Sequence, residues 1–339
     1  MKRTLVAVAA LSLLLAGCGS GDKPASGDGG GDGQPTKVVY LTAFNAAGRD
    51  AYAWVAQEKG YFAEAGIEVD IQLGSAVDKN LQALSAGQAQ FVSLDSTGAI
   101  ITAGKKKADD FRLIGVIHQQ TLVSIISLDP SIKQPSDLAG KSLGMATGSV
   151  NQLLFPAFAQ LGNLDPKSVD IKNIAIPQLV PNLVGGKVDA LSTFLIGEPA
   201  IKAAATAQKK PPTTSVIPYG NYLRDPLGNA LATSTNMINS NPDLVKRFRG
   251  AILKGLQYTI DHPEEAAQIL HSKQPATSEQ AALGEIKSMT PYVTSSQAPM
   301  GSVSEDRIAK VISVLQGLGL FEPGLTPKDV ADFTMMPAT

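Results

Sequence analysis

The chain has 339 residues, with 29 basic and 30 acidic side chains and a formal net charge of −1 at pH 7. A near-neutral chain whose charges form no basic stripe excludes nucleic acid as an expected partner. The body, residues 37–339, is long for one hydrophobic core and comfortable for two.

The N-terminus has the organisation of a secretory signal. Met1-Lys2-Arg3 is positive, residues 5–15 are an apolar run too short to span a bilayer as a mature helix, and Leu15-Ala16-Gly17-Cys18 resembles a bacterial lipobox. We expect residues 1–17 to be a lipoprotein signal peptide and Cys18 to be lipidated, so that the mature protein is extracytoplasmic and anchored to the cell membrane. Because Cys18 is the one cysteine, an intramolecular disulfide and a catalytic thiol are excluded.

A segment rich in Gly, Ser and Asp follows the signal peptide. Residues 18–36 contain almost no apolar side chains and cannot bury enough surface to offset the entropy cost of ordering. We therefore expect a flexible tether that reaches about 20 to 25 Å on average.

Short β-branched segments alternate with helix-like segments in the first part of the body. This alternation predicts parallel βαβ units with right-handed crossovers. The predicted strands are residues 37–41, 68–73, 90–94, 112–117 and 123–128, and the predicted helices between them are 49–59, 79–85 and 98–104.

A second α/β set begins after Asp129-Pro130. It has predicted strands at 142–146, 169–174 and 190–194, with helices following the first two. Residues 209–226 are rich in Pro, Thr and Tyr, which predicts a loop with little regular structure. From Asn229 the sequence "NALATSTNMI" predicts a further strand, and the rest of the chain is predicted to be helical. Asn241-Pro242 and His262-Pro263 have the pattern of helix starts.

Five motifs occur in an order and spacing typical of one group of proteins. They resemble solute-binding proteins of ABC importers, in the group that includes the thiamine-pyrimidine, riboflavin, aliphatic sulfonate, taurine and nitrate binders. The resemblance covers essentially all of residues 37–331. The motifs are "AYAWVAQEKGYFAEAGIEVDI", "LSAGQAQFVSLD", "PSDLAGKSLGMATGS", "GGKVDALSTFLIGEP" and "NPDLVKRFRGAILKGLQYTIDHPEEAAQIL".

The resemblance implies an α/β protein with a two-lobed type II periplasmic-binding fold. Each lobe would be a mixed, mainly parallel sheet flanked by helices, and two crossing segments would form the hinge. Lobe 1 would comprise residues 37–121 and 229–339, and lobe 2 residues 122–228. The solute would bind between the lobes, at the carboxyl ends of the strands. The implied partners are a small-molecule solute and an ABC permease in the cytoplasmic membrane, and we expect a monomer.

Loops at the predicted strand ends supply the candidate solute contacts. Several lead straight into helices, whose first backbone N–H groups would point into the cleft. For Asp95-Ser96-Thr97 and Thr147-Gly148-Ser149, ordinary N-capping is the alternative role. The candidates are Phe44, Asn45, Arg49, Asp50, Ser75, Asp95, Ser96, Thr97, Gln119, Thr147, Gly148, Ser149, Phe194 and Glu198.

Aromatic residues among the candidates suggest a planar solute. Phe44 and Phe194 are placed to sandwich a ring, although they would equally serve to fill the core of each lobe. Trp54 is expected to pack on the sheet, because a helix after a strand needs an apolar face.

The charges among the candidates bear on the solute class. Asp50, Asp95 and Glu198 would repel an anion, and Arg49 is the one cation among these positions. Carboxylates beside aromatic rings favour a heteroaromatic solute with N–H groups, such as a thiamine-pyrimidine precursor or a flavin-like vitamin. Sulfonate, taurine or nitrate is the alternative. Thiamine-pyrimidine relatives carry a polar pair with His where this chain has Arg49-Asp50, which is a departure from their pattern.

Two other classes of function compete with solute binding. The resemblance implies that same-fold enzymes in this broad group depend on cysteine motifs, and this chain has no cysteine after Cys18. His118, His262 and His271 are scattered and show no triad or metal spacing. We expect neither catalysis nor a metal or cofactor. A sensory lipoprotein is the other competing class.

Overall fold

Two five-stranded sheets organise the part of the chain described by the computed structural model, residues 34–147, 149–294 and 298–337. All their strands lie in the compact unit Pro35–Thr339. The strands are β1 (Thr36–Leu41), β2 (Ile67–Gln72), β3 (Phe91–Asp95), β4 (Arg112–Val116), β5 (Val123–Ser127), β6 (Ser142–Met145), β7 (Asp170–Asn173), β8 (Ala190–Phe194), β9 (Ser215–Pro218) and β10 (Asn229–Thr233).

Helices connect the strands and form most of the C-terminal third. Two short 3-10 turns, Gly48–Asp50 and Leu195–Gly197, directly precede the first and seventh helices. The helices are α1 (Ala51–Glu58), α2 (Tyr61–Glu64), α3 (Val77–Ser85), α4 (Ser96–Gly104), α5 (Val150–Leu161), α6 (Leu179–Val184), α7 (Glu198–Ala207), α8 (Thr235–Ser240), α9 (Pro242–Asp261), α10 (Pro263–Lys273), α11 (Glu279–Val293), α12 (Glu305–Gly317) and α13 (Pro327–Val330).

Each sheet has four strands in one direction and one that opposes them. The first sheet has the order β2-β1-β3-β10-β4, in which β10 is antiparallel to both neighbours. The second sheet has the order β7-β6-β8-β5-β9, in which β5 is antiparallel to both neighbours. The predicted pair of mixed, mainly parallel sheets is therefore confirmed. The predicted lobe boundaries fall in the two segments that join the sheets, 117–122 and 219–228.

Two element predictions differ from the structure. Residues 209–226 contain β9, which pairs with β5 at the edge of the second sheet. Four residues, the last of them Pro218, are too few to show strand periodicity. The strand predicted from Asn229 ends at Thr233, because the Ser234 hydroxyl accepts a hydrogen bond from the Met237 N–H and caps α8.

The hydrophobic core under the first sheet is built around α1 and α9. Residues 51–56 of α1 are all buried, and Trp54, at 2% exposure, packs in this core as predicted. Phe248 of α9 stacks on Phe91 with ring centroids 3.9 Å apart. Gly255 permits the close approach of the two helices, since a Cβ there would lie 2.3 Å from the Tyr52 carbonyl oxygen.

The two joining segments are hydrogen-bonded to each other. The Gly228 N–H donates to the His118 carbonyl at 3.1 Å, and the Thr121 N–H donates to the Pro226 carbonyl at 2.9 Å. Arg307 of α12 donates to the Gln119 carbonyl at 3.2 Å, which ties the C-terminal helices to the same region. The two joining segments thus form one hydrogen-bonded unit.

Candidate functional site

A cavity of about 430 Å³ lies between the segments that carry the two sheets. Its walls come from the loops after β1, β2, β6 and β7, from the carboxyl ends of β3 and β8, from the start of β10, and from α3, α4, α5 and the start of α6. Parallel strands bring their carboxyl ends to one edge of a sheet, which is why these loops converge. The volume is in the range of small-molecule sites.

Seven of the predicted solute contacts line this cavity. The first-sheet segments contribute four and the second-sheet segments three. In chain order they are Phe44, Arg49, Ser75, Asp95, Thr147, Ser149 and Phe194. Gly148 lies outside the described residues. So do residues 1–33, which include the predicted signal peptide, the lipidation site Cys18 and most of the predicted tether.

The structure does not bring Ser96 and Thr97 into the cavity wall. The Ser96 hydroxyl donates to the Gly228 carbonyl at 2.7 Å, and the Thr97 hydroxyl donates to the Leu227 carbonyl at 2.9 Å. Successive residues of a helix point about 100° apart, so the neighbours of Asp95 turn away from the site it faces. Their hydroxyls hold the start of α4 against the joining segment.

Four further candidates also lie away from the cavity wall. Asn45 is exposed with a φ of 54°, and Gln119 donates through its side chain to the Ser302 carbonyl at 3.0 Å. Glu198 pairs with Lys202 at 2.8 Å and accepts a hydrogen bond from the Thr214 hydroxyl. Asp50 pairs with Arg49 and does not line the cavity. All four were predicted to face the cleft because they follow strand ends in the sequence. Position in the sequence does not fix the direction in which a side chain points.

Arg49 is held in the cavity wall by acidic and aromatic neighbours. Its Nε lies 3.4 Å from Asp50 Oδ2, and both side chains are buried. Its guanidinium carbon lies 5.1 Å from the centre of the Phe194 ring. Cations over aromatic faces are stabilised by the ring quadrupole, more so when desolvated. Asp50 therefore acts from behind, by fixing Arg49, while Arg49 and Phe194 face the cavity.

Glu285 of α11 is a second acid beside Arg49 that the sequence did not indicate. It accepts a hydrogen bond from the Gly48 N–H at 2.5 Å. Burial raises the pKa of Glu285 to about 7, although Arg49 opposes the shift. Burial likewise raises the pKa of Asp50 to about 6. The contact joins residues 237 positions apart, a distance at which no local pattern could have found it.

Asp95 has a structural role and also lines the cavity wall. Its Oδ1 accepts from the Gly98 N–H at 2.8 Å and caps α4, which is the N-capping role weighed above. Its Oδ2 is buried, and no residue in the described ranges bonds to it. Burial raises the pKa of Asp95 to about 6, with Arg49 acting in the opposite direction.

Two asparagines in the cavity wall were missed by the sequence analysis. Asn229 and Asn151 are 5% and 3% exposed, and the Nδ2 atom of each lacks a hydrogen-bond partner among the residues described. Asn229 begins β10, which runs against its neighbours, so its start lies at the edge where the parallel strands end. Asn151 is the second residue of α5. Only the direction of β10 could have pointed to Asn229.

His118 lies behind the site rather than in it. Its Nδ1 accepts from the Asn229 N–H at 3.3 Å, and the side chain is fully buried. Burial lowers the pKa of His118 to about 3, so the ring is neutral at physiological pH. It supports the joining segments through this contact.

Two other kinds of site are absent from the described part of the chain. No helix there has the length and apolar character needed to cross a bilayer. Within the same residues, no group of three or more His, Cys, Asp or Glu side chains is arranged to hold a metal ion.

Comparison with known proteins gives three similarities. Residues 51–266 match the profile of the family described as NMT1/THI5 like. The formylaminopyrimidine-binding protein of Halalkalibacterium halodurans is 24% identical over 225 residues, which span 66% of each chain. The riboflavin-binding protein RibY of Chloroflexus aurantiacus is 22% identical over 238 residues, 69% of this chain and 66% of that protein. The alignments thus span just under two thirds of each relative.

A solved structure gives the likeness in fold. The periplasmic aliphatic sulphonate binding protein SsuA from Escherichia coli superposes with a TM-score of 0.67 and 14% identity, covering 87% of this chain and 96% of that one. At this identity the likeness shows the fold alone. With the sequence relatives, it confirms the resemblance inferred from the motifs and the two-sheet periplasmic-binding architecture.

Proposed function

The chain belongs to the NMT1/THI5-like family. We propose that it is the extracytoplasmic solute-binding component of an ABC importer. It captures a small heteroaromatic solute, a thiamine-pyrimidine precursor or a flavin-like vitamin, between two closing lobes. The observation that carries the proposal is the cavity itself, whose wall presents a phenylalanine from each sheet segment and an unpaired buried oxygen of Asp95.

The walls of the cavity favour a planar, largely apolar solute. Phe44 and Phe194 are both partly exposed and both line it. Aromatic rings stack on other planar rings with useful affinity. Small aliphatic side chains complete the wall around them, namely Ala43, Ala76, Val77, Ile101, Ala146, Val150, Leu153, Ile176 and Leu179.

The charges around the cavity favour a solute that donates hydrogen bonds. The positive charge of Arg49 is already compensated by the buried carboxylate of Asp50. The free oxygen of Asp95 accepts N–H or NH2 groups and repels the oxygens of an anion. The names of the two sequence relatives, a formylaminopyrimidine binder and a riboflavin binder, agree in kind with this chemistry.

An aliphatic sulfonate, taurine or nitrate is the second candidate solute. Lys105 and Lys107 also line the cavity and would attract an anion. Both lysines are exposed, however, so their charges are screened by water, whereas the carboxylate of Asp95 is buried. The buried groups therefore support the heteroaromatic solute over the anion.

Binding rather than catalysis, and import rather than sensing, complete the proposal. The relatives found by sequence carry binding-protein names. A lipid anchor at Cys18 would keep the receptor close to its membrane permease, and a tether would leave the lobes room to move.

A thermal-shift panel tests the solute class. The full-length protein is heated alone and with 4-amino-5-hydroxymethyl-2-methylpyrimidine, riboflavin, methanesulfonate, taurine and nitrate. A solute at a hundred times its dissociation constant adds about 2.7 kcal/mol to the free energy of unfolding and raises the melting temperature. We expect an aminopyrimidine or flavin to do so. A shift with methanesulfonate, taurine or nitrate alone would contradict the proposal.

A further inference from the structure

Asp95 and Asn229 are direct neighbours on adjacent strands. They face each other in the antiparallel register of β3 and β10. Residues opposite one another in such a pair have Cβ atoms about 4.5–5.5 Å apart. The last residue of β3 and the first residue of β10 therefore present a carboxylate and an amide side by side in the cavity wall.

Each of these two side chains keeps one polar atom unused. Asp95 Oδ2 and Asn229 Nδ2 are buried and have no partner in the described chain, although an acceptor beside a donor could pair directly. Buried polar groups in proteins are almost always bonded. An acceptor and a donor left open together, in the wall of one cavity, point to a third molecule that bonds to both.

The opposite wall offers a matching group. Asn151, in the first turn of α5, is 3% exposed, lines the same cavity and also keeps its Nδ2 unpaired. It belongs to the second-sheet segment, whereas Asp95 and Asn229 belong to the first. A solute bonded to all three would connect the two sides of the cleft.

We propose that Asp95 and Asn229 form an acceptor–donor pair that recognises one edge of the solute, and that Asn151 bonds to the same solute from the opposite wall. The solute edge then carries a hydrogen-bond donor next to an acceptor. An amino group beside a ring nitrogen has this arrangement, as does a ring N–H beside a carbonyl. This inference rests on the proposed function and specifies which heteroaromatic solutes the site accepts.

The pair also excludes solutes. A sulfonate or nitrate presents acceptors only, so it would leave Asp95 Oδ2 unpaired and place like charges together. A ring without the donor would satisfy Asn229 and leave the carboxylate oxygen buried and unpaired. Sites built to bond a polar group reject analogues that lack it far more strongly than apolar pockets reject a missing methylene.

Two pairs of probes test the inference by titration calorimetry on the full-length protein. The first pair is 4-amino-5-hydroxymethyl-2-methylpyrimidine and its analogue without the amino group. The second is riboflavin and 3-methylriboflavin, in which a methyl group replaces the donor hydrogen. For at least one pair, we expect the wild-type protein to bind the donor-bearing member about tenfold or more tightly.

Variants separate direct recognition from a structural role. Asp95→Asn keeps a good N-cap for α4, because Asn and Asp cap helices equally well. This variant should bind the donor-bearing probe more weakly, so that the affinities of the two members of a pair differ by less than about threefold. Asn229→Asp, which exchanges a hydrogen-bond donor for an acceptor, should weaken the binding of the same probe. Asp137→Asn is the control, since Asp137 also caps a turn, through Lys133 and Gln134, and lies outside the cavity wall.

Each outcome has a separate meaning. Equal binding of both members in every pair that binds, or undiminished discrimination in Asp95→Asn, overturns the recognition by Asp95 and Asn229 and leaves the heteroaromatic role in place. Binding of methanesulfonate with no binding of any heteroaromatic probe overturns the proposed solute class as well, and so does binding of no probe at all.

Discussion

Arg49 and Phe194 meet at the cavity, with the guanidinium carbon 5.1 Å from the ring centre. Arg49 lies in the turn before α1, beside the first sheet, and Phe194 ends β8 in the second sheet. The contact therefore links the two sides of the cleft at a point where both residues also face the cavity. A solute that displaces Phe194 would remove this contact from Arg49.

Removing the positive charge of Arg49 should destabilise the fold. In Arg49→Met, the buried carboxylate of Asp50 loses its ion-pair partner. Breaking a buried pair from one side costs about 3–5 kcal/mol. Urea denaturation measures the change in the free energy of unfolding, and Arg49→Lys should recover part of it. A loss below about 1 kcal/mol would mean that the pair is solvated and does not stabilise the turn.

Glu285 should make stability depend on pH. Its pKa is raised to about 7, so the folded protein keeps this proton while the unfolded chain loses it near the ordinary value of 4.5. Between these values the folded state holds more protons, and its stability falls as the pH rises. Below the lower value both states are protonated and the effect is absent.

The matching variant is Glu285→Gln. Allowing for partial exposure, the wild type should lose about 1–2 kcal/mol relative to this variant between pH 4.5 and pH 7.5. Denaturation of both proteins across this range measures the difference. Parallel pH profiles would show that Glu285 ionises normally.

Gly48 should tolerate no side chain. A Cβ there would lie 2.3 Å from the Ala282 carbonyl oxygen and 2.8 Å from Glu285 Cβ. Gly48→Ala must therefore push α11 away from the turn that carries Arg49, at a cost of about 2 kcal/mol. Gly250→Ala is the control, because nothing lies within 4 Å of a Cβ there; in a helix it should add about 0.5–1 kcal/mol. Equal effects of the two variants would contradict the close packing.

The two phenylalanines should contribute to affinity through their rings. Phe44→Leu and Phe194→Leu keep an apolar side chain and remove the aromatic face. Loss of one stacking contact costs about 1–3 kcal/mol, which is roughly five- to 150-fold in affinity. Calorimetric titration of each variant with the heteroaromatic solute that binds best measures this loss of affinity. Leu161→Ala, exposed and outside the cavity wall, is the control; leucine variants that bind as tightly as wild type would exclude a ring sandwich.

Local patterns were enough to predict much of this molecule. The alternation of strands and helices predicted most strands of the two sheets, with β9 missed, and Trp54 is buried in the core as expected. Residues at the ends of parallel strands, such as Phe44 and Phe194, line the cavity because the edge of a sheet is fixed by strand direction. Side-chain direction after those ends was not predictable, and Ser96, Thr97 and Glu198 turn elsewhere.

The groups missed by the sequence analysis share a physical cause. Asn229 reaches the cavity because β10 runs against its neighbours, and Glu285 reaches Gly48 from a helix 237 residues away. Both depend on long-range arrangement of elements and leave no periodic trace in the sequence. Asn151 follows a capping serine on α5 and has the pattern of an ordinary helix start.

The most direct measurement is an experimental structure of the protein with the heteroaromatic solute that shifts its melting temperature most. The account predicts a planar ring between Phe44 and Phe194, with a ring substituent or ring N–H at hydrogen-bond distance from Asp95 Oδ2. A solute bound outside this cavity, or an anionic solute held by Lys105 and Lys107 with both phenylalanine rings uncontacted, would contradict it.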